Sequence, residues 1–471
     1  MQLTADQQKA MQALQQFFRA PEERVFILNG QAGTGKTTLV QELVKWLQAN
    51  KFYPVLLATT GRAAKVLKEK SNVPAVTLHS HIYTFDDIRG EDASGEDAWE
   101  SSTGQLILDF GIRENTFKTP EHVFIVDESS MISHEINEEA NIAKFGSGSL
   151  LDDFMEFTRP NKVVFVGDGC QLPPVAKTPF SGALDADFLA DRYEVLCRGA
   201  ELREIMRQHA ANEILQMAAF FRKGIERGQF EKYPRLKVSG TSSRYTVVHE
   251  QEELLLEAFV EQIKSQDAVS QVMLTNSNWK CQELNRKVRR ALGHTAKLQV
   301  GDLLMVIQNS YITPLVNGDQ VIVESVTEDV FRAGMQFLNV ELRQVHNGEI
   351  SKTKLIADLL LNDSNALAPN AFKALMLDFD TRMRNLGVKR KSAPYREAMM
   401  SDPYLNALRA KYGYALTCHK AQGGEWPEVF LYVHKSVFGL RDAALYRWFY
   451  TAITRAKNRL HLHRAWWVEK Y

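Results

Sequence analysis

Gly30-Gln31-Ala32-Gly33-Thr34-Gly35-Lys36-Thr37 fits the pattern G-x-x-x-x-G-K-[ST]. Val25-Phe26-Ile27-Leu28 before it is a short apolar run that reads as a buried strand. Leu39 to Leu47 after it is apolar at helical spacing. Strand, glycine-rich turn and helix in that order make a phosphate cradle. Gly30, Gly33 and Gly35 let backbone N–H groups close around phosphate oxygens, and the helix N-terminus adds partial positive charge. Lys36 is placed to reach β- and γ-phosphates and Thr37 to ligate Mg²⁺, with Thr38 following in the same first turn. The stretch implies a nucleoside triphosphate site.

Around it lie 471 residues with 45% apolar and 24% charged side chains, the composition of an ordinary globular chain of about three domains. Lys+Arg and Asp+Glu balance at 57 each, so net charge neither indicates nor excludes a nucleic-acid groove. Cys170, Cys197, Cys281 and Cys418 are widely spaced, which points to incidental thiols rather than zinc ligands or disulfides. The N-terminus has no secretory pattern and no apolar run approaches a bilayer span, so a cytoplasmic protein with no membrane partner is expected.

Further signals follow in order. Thr4 and Gln7 stand at capping-box spacing, and an adenine-reading role for Gln7 is the open alternative. Pro54 to Ala58 reads as a strand that runs into Thr59-Thr60-Gly61-Arg62-Ala63-Ala64, a phosphate-binding helix start. Asp86 to Glu100 reads as an acidic exposed loop. Gln105 to Phe110 and Thr116 to Lys118 read as a hairpin around Arg113-Glu114-Asn115. His122 to Val126 is a third apolar strand ending in Asp127-Glu128, a pair able to hold Mg²⁺ through water and to activate an attacking water. Lys162 to Val166 is a fourth, running into Gly167-Asp168 and Gln171-Leu172-Pro173-Pro174-Val175, where Gln171 is placed to sense a γ-phosphate.

A second α/β unit begins at Val272 to Thr275, is interrupted from about Leu292 to Ala410, and resumes at Tyr414. The interruption reads as short strands, then a mainly helical stretch from Leu355 to Leu408. The basic run Arg382 to Arg396 within it is a solvated face or the border of a nucleic-acid path.

This motif series resembles superfamily 1 helicases of the RecD/Dda-like branch, superfamily 1B, from Leu3 to Ala456. Leu3 to Gln7 looks like the Q motif, Thr59 to Ala64 like Ia and Thr77-Leu78-His79 like Ib. Val126 to Met131 is similar to motif II, and Gly167-Asp168 with Gln171 to Val175 to motif III. Met206-Arg207-Gln208 matches motif IV, His419-Lys420-Ala421-Gln422-Gly423 motif V, and Tyr450 to Ala456 motif VI.

The resemblance implies an α/β fold of two RecA-like P-loop domains with parallel sheets, a β-hairpin pin and an SH3-like β-rich insertion. The implied bounds are 1–200 with the pin at about 81–120, 201–291 with 411–471, and an insert at 292–410. It implies ATP and Mg²⁺ in the inter-domain cleft, Arg207 and Arg455 as arginine fingers, Glu425 at the ribose, and 5′ to 3′ movement along single-stranded DNA. Gly424 departs from the serine that many members carry.

Thr60, Arg62, His79, Asn278, Thr417 and His419 are the strand-contact candidates, because each can bind phosphate or sugar without reading a base. Phe110, Phe117, Trp279 and Trp448 are candidate stacking platforms. An ATP-dependent helicase working at single-strand/duplex junctions in replication, recombination or repair is the favoured reading. Single-strand-binding or replication and repair proteins are compatible partners, and a monomer suffices. An RNA-dependent helicase comes second and a switch ATPase without unwinding third.

Overall fold

The computed structural model describes residues 3–91, 105–117, 119–136, 142–175, 180–204, 212–265, 269–310, 312–362, 364 and 366–470. Its first half contains strands β1 (Glu23–Gly30), β2 (Tyr53–Ala58), β3 (Ala75–Thr77), β4 (Tyr83–Glu91), β5 (Gln105–Ile112), β6 (His122–Asp127), β7 (Ala143–Phe145), β8 (Lys162–Gly167) and β9 (Leu196–Leu202). Six of them form one sheet in the order β3-β2-β6-β8-β1-β9, every pair parallel. A parallel sheet is covered on both faces, which is why its central strands are apolar without alternation. The period-2 geometry still sorts them. Val25 and Ile27 join Phe124, Val163 and Phe165 in the core on one side, while Phe26 and Leu28 meet Ile125, Val164 and the Lys36–Ala49 helix on the other.

The hairpin differs from the sequence reading. β5 pairs antiparallel with β4 before it, and β7 adds to β5 in parallel. Asp86 to Glu91, expected as loop, is therefore strand, and Thr116 and Phe117 are not; Lys118 and the rest of the acidic stretch lie outside the described residues. The acidic side chains hid an alternation in which Ile88 is buried. Arg89 of this strand pairs with Asp109 of β5, and Asp87 pairs with Lys391 from the insert. Arg113 and Asn115 make no tight turn, because Arg113 Nε donates to the Tyr83 carbonyl and Asn115 Nδ2 to that of Phe157.

The second half contains β10 (Leu236–Val238), β11 (Thr246–His249), β12 (Gln271–Thr275), β13 (Leu303–Val306), β14 (Gln320–Arg332), β15 (Met335–Gln344), β16 (Ile350–Ile356), β17 (Ala410–Tyr412), β18 (Ala415–Thr417), β19 (Trp426–Leu431), β20 (Ala456–His463) and β21 (Val468–Lys470). A second all-parallel sheet runs β11-β20-β19-β12-β18. The interrupting segment supplies an antiparallel sheet, β16-β15-β14-β13-β17. Only Gly413 and Tyr414 separate β17 from β18. Tyr414 fixes that joint: its hydroxyl donates to Asp302 at 3.3 Å and accepts from the Leu303 N–H, while its carbonyl accepts from Met273.

The helical part of the interruption is narrower than expected, covering Pro369–Asn385 and Ala393–Ser401. Phe372, Met376, Phe379, Tyr395 and Met399 there pack on Ile88 and Leu106 of the hairpin. Within its basic run Arg382 pairs with Asp378 and Asp402, and Arg384 and Arg390 share the buried Asp380. The four cysteines are free, three of them buried. No described helix is long and apolar enough to cross a membrane.

Candidate functional site

The P-loop leaves the carboxyl end of β1, with β8 and β6 next to it, so Lys36, Gln171 and the Asp127-Glu128 pair arise on neighbouring strand ends. Open α/β sheets bind ligands at that edge. Gly33 and Gly35 take φ of +82° and +76°, a region costly for any side chain. A Cβ on Gly30 would lie 2.9 Å from Thr34 Oγ1. Lys36 Nζ donates to the carbonyls of Gly30 and Gln31 at 2.7 and 3.2 Å, which holds the ammonium over the loop. Thr37 and Thr38 open the helix behind it.

Gln7 is fully buried and bonded at both ends of its amide. Its Oε1 accepts from Thr4 N–H in a reciprocal capping box, and its Nε2 donates to the Thr34 carbonyl at 3.0 Å. The first helix is thereby tied to the phosphate loop.

Asp127 ends β6 with 9% exposure, and its Oδ1 accepts the Glu128 N–H at 2.9 Å. Glu128 holds φ +54°, a strained value for a non-glycine residue. Burial, and then the Asp127 charge, raise the Glu128 carboxyl above the usual range, opposed by Arg455 and Lys36. Arg455, just before β20 of the second sheet, is 3% exposed, and its Nη1 donates to the Gly424 carbonyl at 3.1 Å. Gln171 is 3% exposed with an unpartnered Oε1, an acceptor suited to a water beside the phosphates. Arg207 lies outside the described residues.

Sequence reasoning missed the network that joins the two halves. Tyr450 OH donates to Asp168 Oδ2 at 2.6 Å and accepts the P-loop Ala32 N–H at 3.4 Å. Asp168 Oδ1 takes Arg222 Nη1 at 3.2 Å, and Arg222 also reaches Glu201 and Glu226. Leu172 N–H donates to Thr451 Oγ1, Gln422 Nε2 to the Leu172 carbonyl, and Arg447 to the carbonyls of Gly169 and Gln171. The quoted stretches held these residues, but nothing in their spacing says that they meet.

The strand-contact candidates fall into three places. Thr60 caps the Gly61–Ser71 helix, and Arg62 lies over the Trp426 ring at 4.2 Å and donates to Gln320 Oε1. Burial and the nearby Arg455 push the Arg62 guanidinium down to about 10. Asn278 and Thr417 line one pocket at the carboxyl edge of the second sheet, with Lys420 beside them. His419 is half-buried next to that pocket, its imidazole lowered by desolvation. His79 stands apart, packed on Tyr83 and Phe145 and pushed down to about 4 by burial, hence neutral at physiological pH. Glu425 lies 3.9 Å from Lys457. Among the described residues no His/Cys/Asp/Glu cluster forms a metal site by itself.

With this geometry in view, the AAA domain family matches residues 2–237 and the UvrD-like helicase C-terminal domain residues 412–463. The ATP-dependent RecD2 DNA helicase of Deinococcus radiodurans is 23% identical over 93% of this chain, which spans 46% of that relative's length. Two coordinating Pif1 helicases at forked double-stranded DNA give TM-score 0.51 at 18% identity, covering 98% of this chain and 92% of theirs. Pif1 from Bacteroides with ADP-AlF3 and single-stranded DNA gives 0.50 at 18%, covering 99% and 93%. The resemblance drawn from the motif series is borne out, as is the α/β fold with parallel sheets.

Proposed function

The chain belongs to the AAA domain family and carries a UvrD-like helicase C-terminal domain, and on that footing we propose that it is an ATP-dependent DNA helicase. It moves along single-stranded DNA, 5′ to 3′ by its likeness to the superfamily 1B branch, and opens duplex at junctions. Two RecA-like domains, 1–200 and 201–291 with 411–471, flank the cleft, and 292–410 is the insert. The observation that carries the reading is the cleft itself: P-loop and buried carboxylate pair at the edge of one sheet, Tyr450 and Arg455 from the Asp442–Ile453 helix and the link after it in the half that carries the other.

ATP when bound supplies the bond to be hydrolysed, with Mg²⁺ as the Lewis acid on its phosphates. The glycine cradle and orphaned Gln171 Oε1 fit that group. Lys36, Thr37 and Asp127 hold the phosphates and metal, and Gln7 and Glu425 border the nucleoside. Glu128 takes a proton from water that Gln171 orients. Arg455, with Arg207, meets charge developing on the phosphates. Thr60, Arg62, His79, Asn278, Thr417 and His419 track the strand.

Steady-state ATP hydrolysis tests this with no nucleic acid, single-stranded DNA or single-stranded RNA, in wild type and Lys36→Ala. Stimulation by DNA of at least about tenfold, lost in the variant, is expected. Preference for RNA would promote an RNA-dependent motor. Equal rates in all three conditions would sink the motor reading.

A further inference from the structure

Of the four aromatic residues that the sequence offers as stacking platforms, the fold withdraws three. Phe110 and Trp448 are 6% and 1% exposed, and Phe117 packs against His81, His122 and Phe124. Trp279 is 47% exposed. It is the second residue of the Asn278–Ala291 helix, directly beyond the carboxyl end of β12.

Its indole is held in place rather than left loose. The His434 ring meets it edge-on at 5.1 Å and 87°, and Lys280 Nζ lies 5.2 Å from its centroid. Both neighbours are themselves fixed. Lys280 pairs with Glu283 at 2.7 Å, and His434 Nδ1 bonds Ser436 Oγ at 2.8 Å, which also accepts from Asn276 Nδ2. A rigid aromatic face in water is what an unstacked base needs, and preorganisation lowers the ordering cost of binding.

A second observation points to the same ligand. Thr275 Oγ1, Ser277 Oγ and Gln282 Oε1 are buried without a hydrogen-bond partner, although buried polar groups normally have one. Thr275 is 0% and Gln282 4% exposed. Gln282 lines the pocket with Asn278, Asn285, Thr417 and Lys420, so donors, acceptors and a cation gather at the helix that carries Trp279. Sugar and phosphate oxygens accept from the Asn278 amide, the Thr417 hydroxyl and Lys420, while a base N–H donates to the Gln282 oxygen and the base itself stacks on the ring.

We propose that Trp279 is the base-stacking platform of the single-stranded DNA path on the second sheet, with the donors of the neighbouring pocket, Asn278, Thr417 and Lys420, meeting the adjoining sugar-phosphate. The assignment rests on the DNA-motor reading.

The test is equilibrium binding of a fluorescein-labelled oligothymidylate to wild type, Trp279→Ala and Trp279→Phe, with single abasic nucleotides scanned along the oligonucleotide. Trp279→Ala is expected to weaken binding about tenfold or more, and Trp279→Phe to restore most of it. At one position an abasic nucleotide weakens wild type by the same factor and Trp279→Ala no further. Wild-type affinity in Trp279→Ala, or equal abasic losses in both proteins, would overturn the platform while leaving the motor standing. Failure of wild type to bind single-stranded DNA at all would overturn both.

Discussion

Gly424 occupies space already taken by a neighbouring guanidinium. A Cβ built there stands 2.7 Å from Trp426 Cη2 and 2.9 Å from Arg62 Nη1, closer than real contacts allow. The absent side chain is therefore what lets Arg62 lie flat on Trp426, where an arginine–indole contact is worth about 0.5–2 kcal/mol. Gly424→Ser is expected to lower stability by about 1–3 kcal/mol by overpacking, read as a shift of the urea midpoint. In an Arg62→Ala background the same change costs less, because the two guanidinium contacts are gone and Trp426 can shift into the space they leave; equal costs in both backgrounds would refute the account. At this scale the sequence was legible wherever chemistry is local. The phosphate loop announces itself because glycines, lysine and threonine act within one turn, and Gln7 was legible as a cap because Thr4 is three residues away. Tyr450 was not, since its partners Asp168 and Ala32 are hundreds of residues distant in the chain and only folding brings them to its hydroxyl.

Between elements a costly contact to break is the ion pair that joins the end of β8 to the Glu213–Arg227 helix. Asp168 is 0% and Arg222 7% exposed, so neither charge is solvated once its partner is gone. Breaking a buried pair from one side typically costs about 3–5 kcal/mol. Arg222→Met keeps the bulk and strands the carboxylate, and its expected loss in a denaturant melt lies in that range. A loss below about 1 kcal/mol would mean that Tyr450 and the Cys170 N–H satisfy Asp168 unaided. Element type was read well where strands are buried on both faces: Val123 to Val126 and Val163 to Val166 are unbroken apolar runs because helices cover both sides. It failed at the hairpin, where partner choice depends on register rather than composition. β4 carries Asp86 and Asp87, and of these Asp87 is met by Lys391 from the insert, while Arg89 of the same strand pairs with Asp109 of β5.

At the scale of the molecule, imidazole burial sets an acid limit. Desolvation pushes His79 down from an ordinary 6.5 to about 4 and lowers His81, His249, His419, His461 and His463 as well. Each charges in the unfolded chain below about pH 6.5 but stays neutral in the fold to lower pH. The unfolded state then binds more protons, so stability falls as pH drops through that window. The raised carboxyls of Asp127 and Glu128 act in the opposite sense, but they are two groups against seven histidines, since His434 is lowered as well. Urea midpoints at pH 7 and pH 5 should differ by on the order of 2–4 kcal/mol in favour of pH 7; an unchanged or higher midpoint at pH 5 would refute this. Which surfaces face each other across the cleft was the least legible level, because sheet order fixes neighbours within a half and says nothing about the other half.

The joint at Gly413 and Tyr414 reaches furthest. It welds the antiparallel sheet to β18, while that same sheet grips the Gly61–Ser71 helix through Lys65, which binds Asp319 and Gln344 at 2.7 Å each. A tilt of the second sheet that loosens Tyr450 from the phosphate loop must swing Asp319 along with it. The inserted sheet is thus a crank on the axle of the second, and the phosphate loop and the Lys65 grip are two readings on one dial.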